Sequence, residues 1–141
     1  MINSDLQKSN IVKGFDPQAN TGGAISGAII DRIGYGEAEV AINFAVVTGS
    51  PSAATTAVVI QHGDAANLSD AATFVTAASA LDISAAGIAV YPVDLSGAKR
   101  YIRVTSDATY TGGTTPGNVI GAVVALKSAK ANPPVSSTVL R

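Results

Sequence analysis

The chain has no cysteine, no tryptophan, one histidine and one methionine among 141 residues. Without cysteine, disulfide staples, thiolate metal sites and thiol nucleophiles are excluded together, so stability must come from packing or assembly. Charge is scarce as well: Asp, Glu, Lys and Arg make up 13% of the chain, against a usual share of about 25%. The nine basic residues are scattered rather than clustered, and the formal net charge is -1. This offers no electrostatic footprint for nucleic acid or an anionic membrane, and neither is expected as a partner. The most apolar stretch, Val119–Leu126, is too short to cross a bilayer. The start Met1-Ile2-Asn3-Ser4-Asp5 lacks the basic segment and apolar run of a signal peptide, so the expectation is a chain made and kept in the cytoplasm.

The hydrophobic fraction of 47% is ordinary, so Ala, Gly, Ser and Thr have replaced charges rather than core residues. Such a surface suits contact with other proteins. A chain of this length fits one domain with a real core.

The periodicity present is that of strands. In Glu39–Val46, Val40, Ile42, Phe44 and Val46 alternate with Glu39, Ala41, Asn43 and Ala45. Ala24–Ile33 carries Ile25, Ile29, Ile30 and Ile33 and reads as a strand closed by Gly34-Tyr35-Gly36. Thr55–Gly63 places Val58 and Ile60 on one face and Ala57, Val59 and Gln61 on the other, both partly apolar. That second apolar face predicts self-association, a dimer in preference to a trimer. Phe74–Leu81 reads as a further strand, and Asn118–Lys127 as the last, with Ile120, Val124 and Leu126 on alternate sites. Gly87–Ser106 reads as two strands joined by the polar turn Ser96-Gly97-Ala98-Lys99, a central hairpin.

Residues 1–23 and 129–141 show no sheet periodicity, and Asn132-Pro133-Pro134 cannot continue a ladder. The expected organisation is an N-terminal arm at 1–23, a β-sandwich domain at 24–128 and a C-terminal tail at 129–141. Seven or eight short antiparallel strands separated by turns define an all-β, single-domain jelly roll or β-sandwich. Its core is expected to contain Val40, Ile42, Phe44, Val58, Ile60, Val93, Leu95, Ile102, Val104, Val124 and Leu126.

Chemical constellations are few. His62 and Asp64 lie two apart on a strand, and Ser69 follows, but no Gly-x-Ser-x-Gly elbow accompanies them to suggest a nucleophilic triad. Asp64, Asn67 and Asp70 have oxygen donors for calcium without EF-hand spacing, and turn chemistry explains them as well. Asp94 is expected to pair with Lys99 or Arg100 across the turn. No catalytic, metal or cofactor-binding residue is assigned, and the chain is expected not to be an enzyme.

Three ordered segments carry a resemblance: Val58–Asp64, the loop ending in Thr73-Phe74, and Val90–Val104, whose core reads Val93-Asp94-Leu95-Ser96-Gly97-Ala98-Lys99-Arg100-Tyr101-Ile102-Arg103. Over roughly residues 55–127 the chain resembles capsid decoration, or cement, proteins of tailed bacteriophages, which have a Gln-x-x-Asp corner and a VDL-x-G-x-x-RYIR hairpin. It departs from them at Ala65-Ala66-Asn67, where the family often has a second acidic residue and Gly. The resemblance implies a virion protein on the outer surface of an icosahedral capsid, with the major capsid protein as partner and a homo-oligomer as its form. A carbohydrate-binding sandwich module is the alternative, disfavoured by four Tyr and no Trp to stack on sugars.

Overall fold

The computed structural model describes residues 9–127. Every regular element among them is a strand: β1 (Ser9–Asn20), β2 (Gly23–Ser26), β3 (Ile30–Asp31), β4 (Glu37–Phe44), β5 (Ala53–Gly63), β6 (Ala72–Thr76), β7 (Leu81–Asp82), β8 (Gly87–Asp94), β9 (Tyr101–Thr111) and β10 (Asn118–Lys127). One sheet runs β1-β10-β4-β8, and the other β2-β9-β5-β6 with β3 beside β9 and β7 beside β5. We call them sheet A and sheet B. Every pairing is antiparallel, and the pairs nest: β1 with β10, β2 with β9, β4 with β8, β5 with β6. The first half of the chain thus forms a long ribbon with the second half. Wrapping the ribbon brings β10 against β4 and β9 against β5, the double Greek-key order of a jelly roll.

Inward positions follow the period of two. In β4 the residues Ala38, Val40, Ile42 and Phe44 are buried, and in β10 so are Ile120, Ala122, Val124 and Leu126. They meet Ile25, Val58, Ile60, Ile102 and Val104 from sheet B. Ten of the eleven expected core residues are buried, while Val93 is half-buried against the core. Ile83, fully buried from the loop after β7, closes the sandwich without any periodic pattern around it.

Four expectations need correction. Residues 1–23 are not wholly outside the domain, because β1 pairs with β10 along its length and Phe15 enters the core; two register shifts, at Lys13/Phe15 and Phe15/Gln18, hide its alternation. The central hairpin is not a hairpin. β8 pairs with β4 in sheet A and β9 with β5 and β2 in sheet B, so Leu95–Arg100 carries the chain between sheets. Leu95, fully buried, fills the gap at this corner. The Ala24–Ile33 strand is broken in two, because the Gly27 amide donates to the Val104 carbonyl (2.8 Å) and the Ala28 amide to Gly14 (2.7 Å), one bond to each sheet. Finally, β4 ends at Phe44 and leaves Val46 exposed rather than in line with Val40 and Ile42. The proposed tail 129–141 and the first residues of the arm lie outside the described residues.

Two polar fixtures stand out, one inside the sandwich and one at its end. Thr56 and Ser106, both fully buried on the inner face of sheet B, place their hydroxyls 2.6 Å apart. Tyr110 sets its hydroxyl 2.6 Å from Asn118 Oδ1 and 3.1 Å from the Asn20 carbonyl, joining β9, β10 and β1 at one end.

Candidate functional site

The outward face of sheet A is built by the residues that alternate with the core positions. Register sets Lys13, Val123, Ala41 and Val90 in one row across β1, β10, β4 and β8. The adjacent rows are Ile11, Ala125, Glu39 and Pro92 on one side, and Gly121, Asn43 and Ile88 on the other. Exposure is high for Ile11 (71%), Ile88 (63%), Val90 (54%), Val123 (50%) and Val119 (44%). A solvated face of an antiparallel sheet normally alternates to polar residues, and here the two middle rows carry just Lys13 and Asn43 among aliphatic and small residues.

The face is also concave. Ala41, Ala45 and Gly121 form a low floor between Ile11, Ile88, Val119 and Val123, leaving an apolar groove of about 650 Å³. A Cβ at Gly121 would lie 3.1 Å from Pro17 Cα, a tight contact that any larger residue would relieve only by shifting Pro17. Its polar lining is sparse: Asn43 near the centre, and Lys13 at the rim, whose ammonium pairs with Asp16 at 3.2 Å. At the opposite end the sheet turns acidic, with Glu37, Glu39 and Asp94 around a smaller hollow of about 420 Å³ and Lys127 bound to Glu39 at 3.0 Å. Burial of apolar surface is the chemistry this face offers.

The polar clusters singled out in the sequence serve the fold. Asp70 accepts the amides of Asp64 (2.8 Å) and Ala65 (3.2 Å), and these bonds hold its carboxyl below the usual carboxylate range. Asn67 accepts the Ser69 amide at 3.0 Å, while Asp64 pairs with Lys99 at 3.2 Å. The three side chains therefore point to separate tasks, not to one ion. His62 Nδ1 accepts the Lys99 amide (3.1 Å) and its ring rests 4.9 Å from that of Phe74, so it braces the corner rather than Ser69.

The expected pairing of Asp94 with Lys99 or Arg100 is not formed. Asp94 accepts the Ser96 amide at 2.9 Å, which lowers its pKa, and Arg100 instead reaches Asp31 at 2.9 Å. Arg32, which the sequence reading passed over, donates to the carbonyls of Lys99 (2.9 Å), Tyr35 (3.1 Å) and Ala98. The motif that carries the family resemblance is thus a crossing between sheets, capped by Asp94, filled by Leu95 and clamped by Arg32.

The apolar second face was expected at Val59 and Ala57, and the structure moves it. Those residues sit across from Thr105 and Asp107, with Gln61 opposite Arg103, so the outer face of sheet B is polar and Val59 is half-buried within it. The signal for the true face lay in β10, where Val119 and Val123 interleave with Ile120 and Val124 and make both sides of one strand apolar.

No protein-family model and no curated protein matches the chain. Solved structures do. The structure of infectious bursal disease virus Gt strain is 12% identical over 89% of this chain and 33% of that one, at a TM-score of 0.54. That of the Gx strain has the same identity and coverage at 0.49, and the SPBc2 prophage-derived protein YomS is 13% identical over 82% of this chain and 92% of its own at 0.42. The chain spans about a third of the length of the two virus chains. What it shares with the Gt-strain chain is its fold.

Proposed function

We propose that this protein is a non-enzymatic structural component of a phage particle, seated on the outer surface of an icosahedral capsid and stabilising it across subunit boundaries. The observation that carries the reading is the outer face of sheet A, where five large aliphatic side chains stand exposed along a concave, nearly uncharged surface. Apolar patches of this kind mark interaction sites in soluble proteins. The resemblance of Val90–Val104 to decoration proteins gives the partner, the major capsid protein. The mechanism is burial: a modest gain at each site is repeated over a whole shell, and a contact of standard size removes about 800 Å² per partner from water.

The test mixes purified protein with undecorated particles and measures added density by electron microscopy together with co-sedimentation. The wild-type chain should decorate the particles. A Val123→Lys, Ile88→Lys variant should fold normally, because both positions are at least half exposed, and should fail to bind, because its two ammonium groups would have to be desolvated in the contact. Wild-type protein that leaves particles bare removes the capsid reading; a double variant that still decorates them removes sheet A as the contact.

A further inference from the structure

Self-association, expected from the sequence at Val59 and Ala57, needs another surface once those residues lie on a polar face. Sheet edges are the alternative, because an edge strand exposes a row of unpaired amides and carbonyls that a second chain can join. Most edges here are short or irregular. β1 is broken by register shifts at Lys13/Phe15 and Phe15/Gln18 and carries Pro17. In sheet B, β2 has four residues and β6 five, and β3 and β7 beside them have two each. β8 differs: it pairs with β4 without a break from Gly87 to Asp94 and carries no charge before Asp94. We infer that two copies of this chain associate through β8, antiparallel, across a two-fold axis at Val90.

Two observations fix which backbone groups of β8 are free. Pro92, opposite Glu39, has no amide to give to β4, and just past the strand the Leu95 amide donates to the Gly36 carbonyl at 2.8 Å. Odd-numbered residues therefore bond to β4. The amides and carbonyls of Ile88 and Val90 point away from it, where sheet A has no further strand. Setting Val90 opposite Val90 of the second copy lets each Val90 amide reach the other's carbonyl. Each Ile88 amide then meets the carbonyl of Pro92 in the second copy, a position where only an acceptor is needed. The side chains fit the same register. Ile88 (63% exposed) falls against Pro92 and Val90 (54% exposed) against Val90 on the outer face. On the inner face Ala89 opposes Tyr91, a small residue beside a large one, and both are only half-buried in the single chain. Charge agrees too. This pairing holds the two Asp94 carboxylates about 26 Å apart along the strands, beyond the screening length of about 8 Å, whereas a parallel pairing would set them side by side.

The two-fold axis stands perpendicular to the sheet, so the outer faces of both copies look the same way and their grooves lie next to each other. On the capsid reading above, on which this consequence alone rests, a dimer would present two contacts together. One strand edge is a small contact, of the class below about 1,200 Å² in total, and suits a dimer that forms at about 100 µM.

Sedimentation equilibrium of the full chain, loaded from about 10 to 500 µM, is the first test and should show monomer passing into dimer. Val90→Lys and Val90→Glu each place two like charges opposite one another and should weaken the dimer about ten-fold or more. An equimolar mixture of the two variants should dimerise again, because lysine then faces glutamate. Circular dichroism confirms that both variants fold, as a position more than half exposed allows. Amide hydrogen exchange of the wild type gives a readout that needs no variant. Exchange at Ile88 and Val90 should slow about two-fold where half of the protein is paired, while exchange in β1 should not change with concentration. A chain that stays monomeric at 500 µM, at the top of the range about which weak dimers form, overturns the inference. So does a dimer that Val90→Lys leaves intact, a mixture of variants that stays monomeric, or exchange at Ile88 and Val90 that ignores concentration. No particle enters these measurements, so they decide the dimer separately from the capsid proposal.

Discussion

The buried hydroxyl pair of Thr56 and Ser106 allows the packing of sheet B to be tested by a double-mutant cycle. The two residues are diagonal neighbours, since Thr56 lies opposite Ala108 and Ser106 opposite Val58, and neither is exposed to solvent. Their oxygens are 2.6 Å apart. Thr56→Val keeps the shape and removes one hydroxyl, which leaves that of Ser106 buried without this partner; the expected cost is about 1–3 kcal/mol, the usual range for an orphaned polar group. Ser106→Ala should cost a similar amount for the converse reason. Replacing both removes two polar groups from an apolar layer together, so the double variant should lie within about 1 kcal/mol of wild type. The coupling energy, the two single costs together less that of the double variant, is then about 1–6 kcal/mol, at or above the roughly 0.5–3 kcal/mol seen for residues in direct contact. Urea unfolding followed by far-ultraviolet circular dichroism suits a chain with no tryptophan, with an unchanged denaturant slope required of each variant. In melting experiments each 1 kcal/mol should appear as about 3–5 °C. Additive single effects, with the double variant the least stable of the four proteins, would refute the assignment of this bond as the partner of both hydroxyls.

Phe44→Ala should cost about 3–5 kcal/mol, because the ring is buried at the end of β4; an unchanged thermal midpoint would contradict that placement. Gly27→Ala should destabilise by about 1–3 kcal/mol through crowding, since a Cβ there would lie 2.5 Å from the carbonyl oxygens of both Gly14 and Val104; urea midpoints decide it. Acid should weaken the fold in a defined window. Asp31 is held low by Arg100, and Asp70, Asp82 and Asp94 by the amides of Asp64, Ser84 and Ser96. Folded-state values below the unfolded value of about 3.9 mean that their contribution is present above that pH and is lost as pH falls through the folded values. The urea midpoint should therefore fall as pH is lowered from about 4 towards 2, and Asp70→Asn should make that fall shallower.

Strand identity and inward face were properties of the sequence alone. Val40, Ile42 and Phe44, or Ile102 and Val104, reveal which side is buried because side chains alternate across any pleated strand, whatever its partner. Partnership was not local. Gly87–Asp94 and Tyr101–Thr111 are consecutive and joined by a polar turn, the pattern of a hairpin, yet each pairs with a strand from the first half of the chain. Pairing depends on which strands the wrapped ribbon brings side by side, and short-range periodicity carries no record of it. β1 escaped notice because its register shifts scramble the alternation on which such a reading depends. The candidate surface belongs to the same category. Ile11, Ile88, Val119 and Val123 lie on three strands drawn from both ends of the chain, and each alone is an ordinary exposed aliphatic residue. Only the order β1-β10-β4-β8 makes them neighbours, and the small side chains of Ala41 and Gly121 between them make a groove where larger ones would have made a flat sheet.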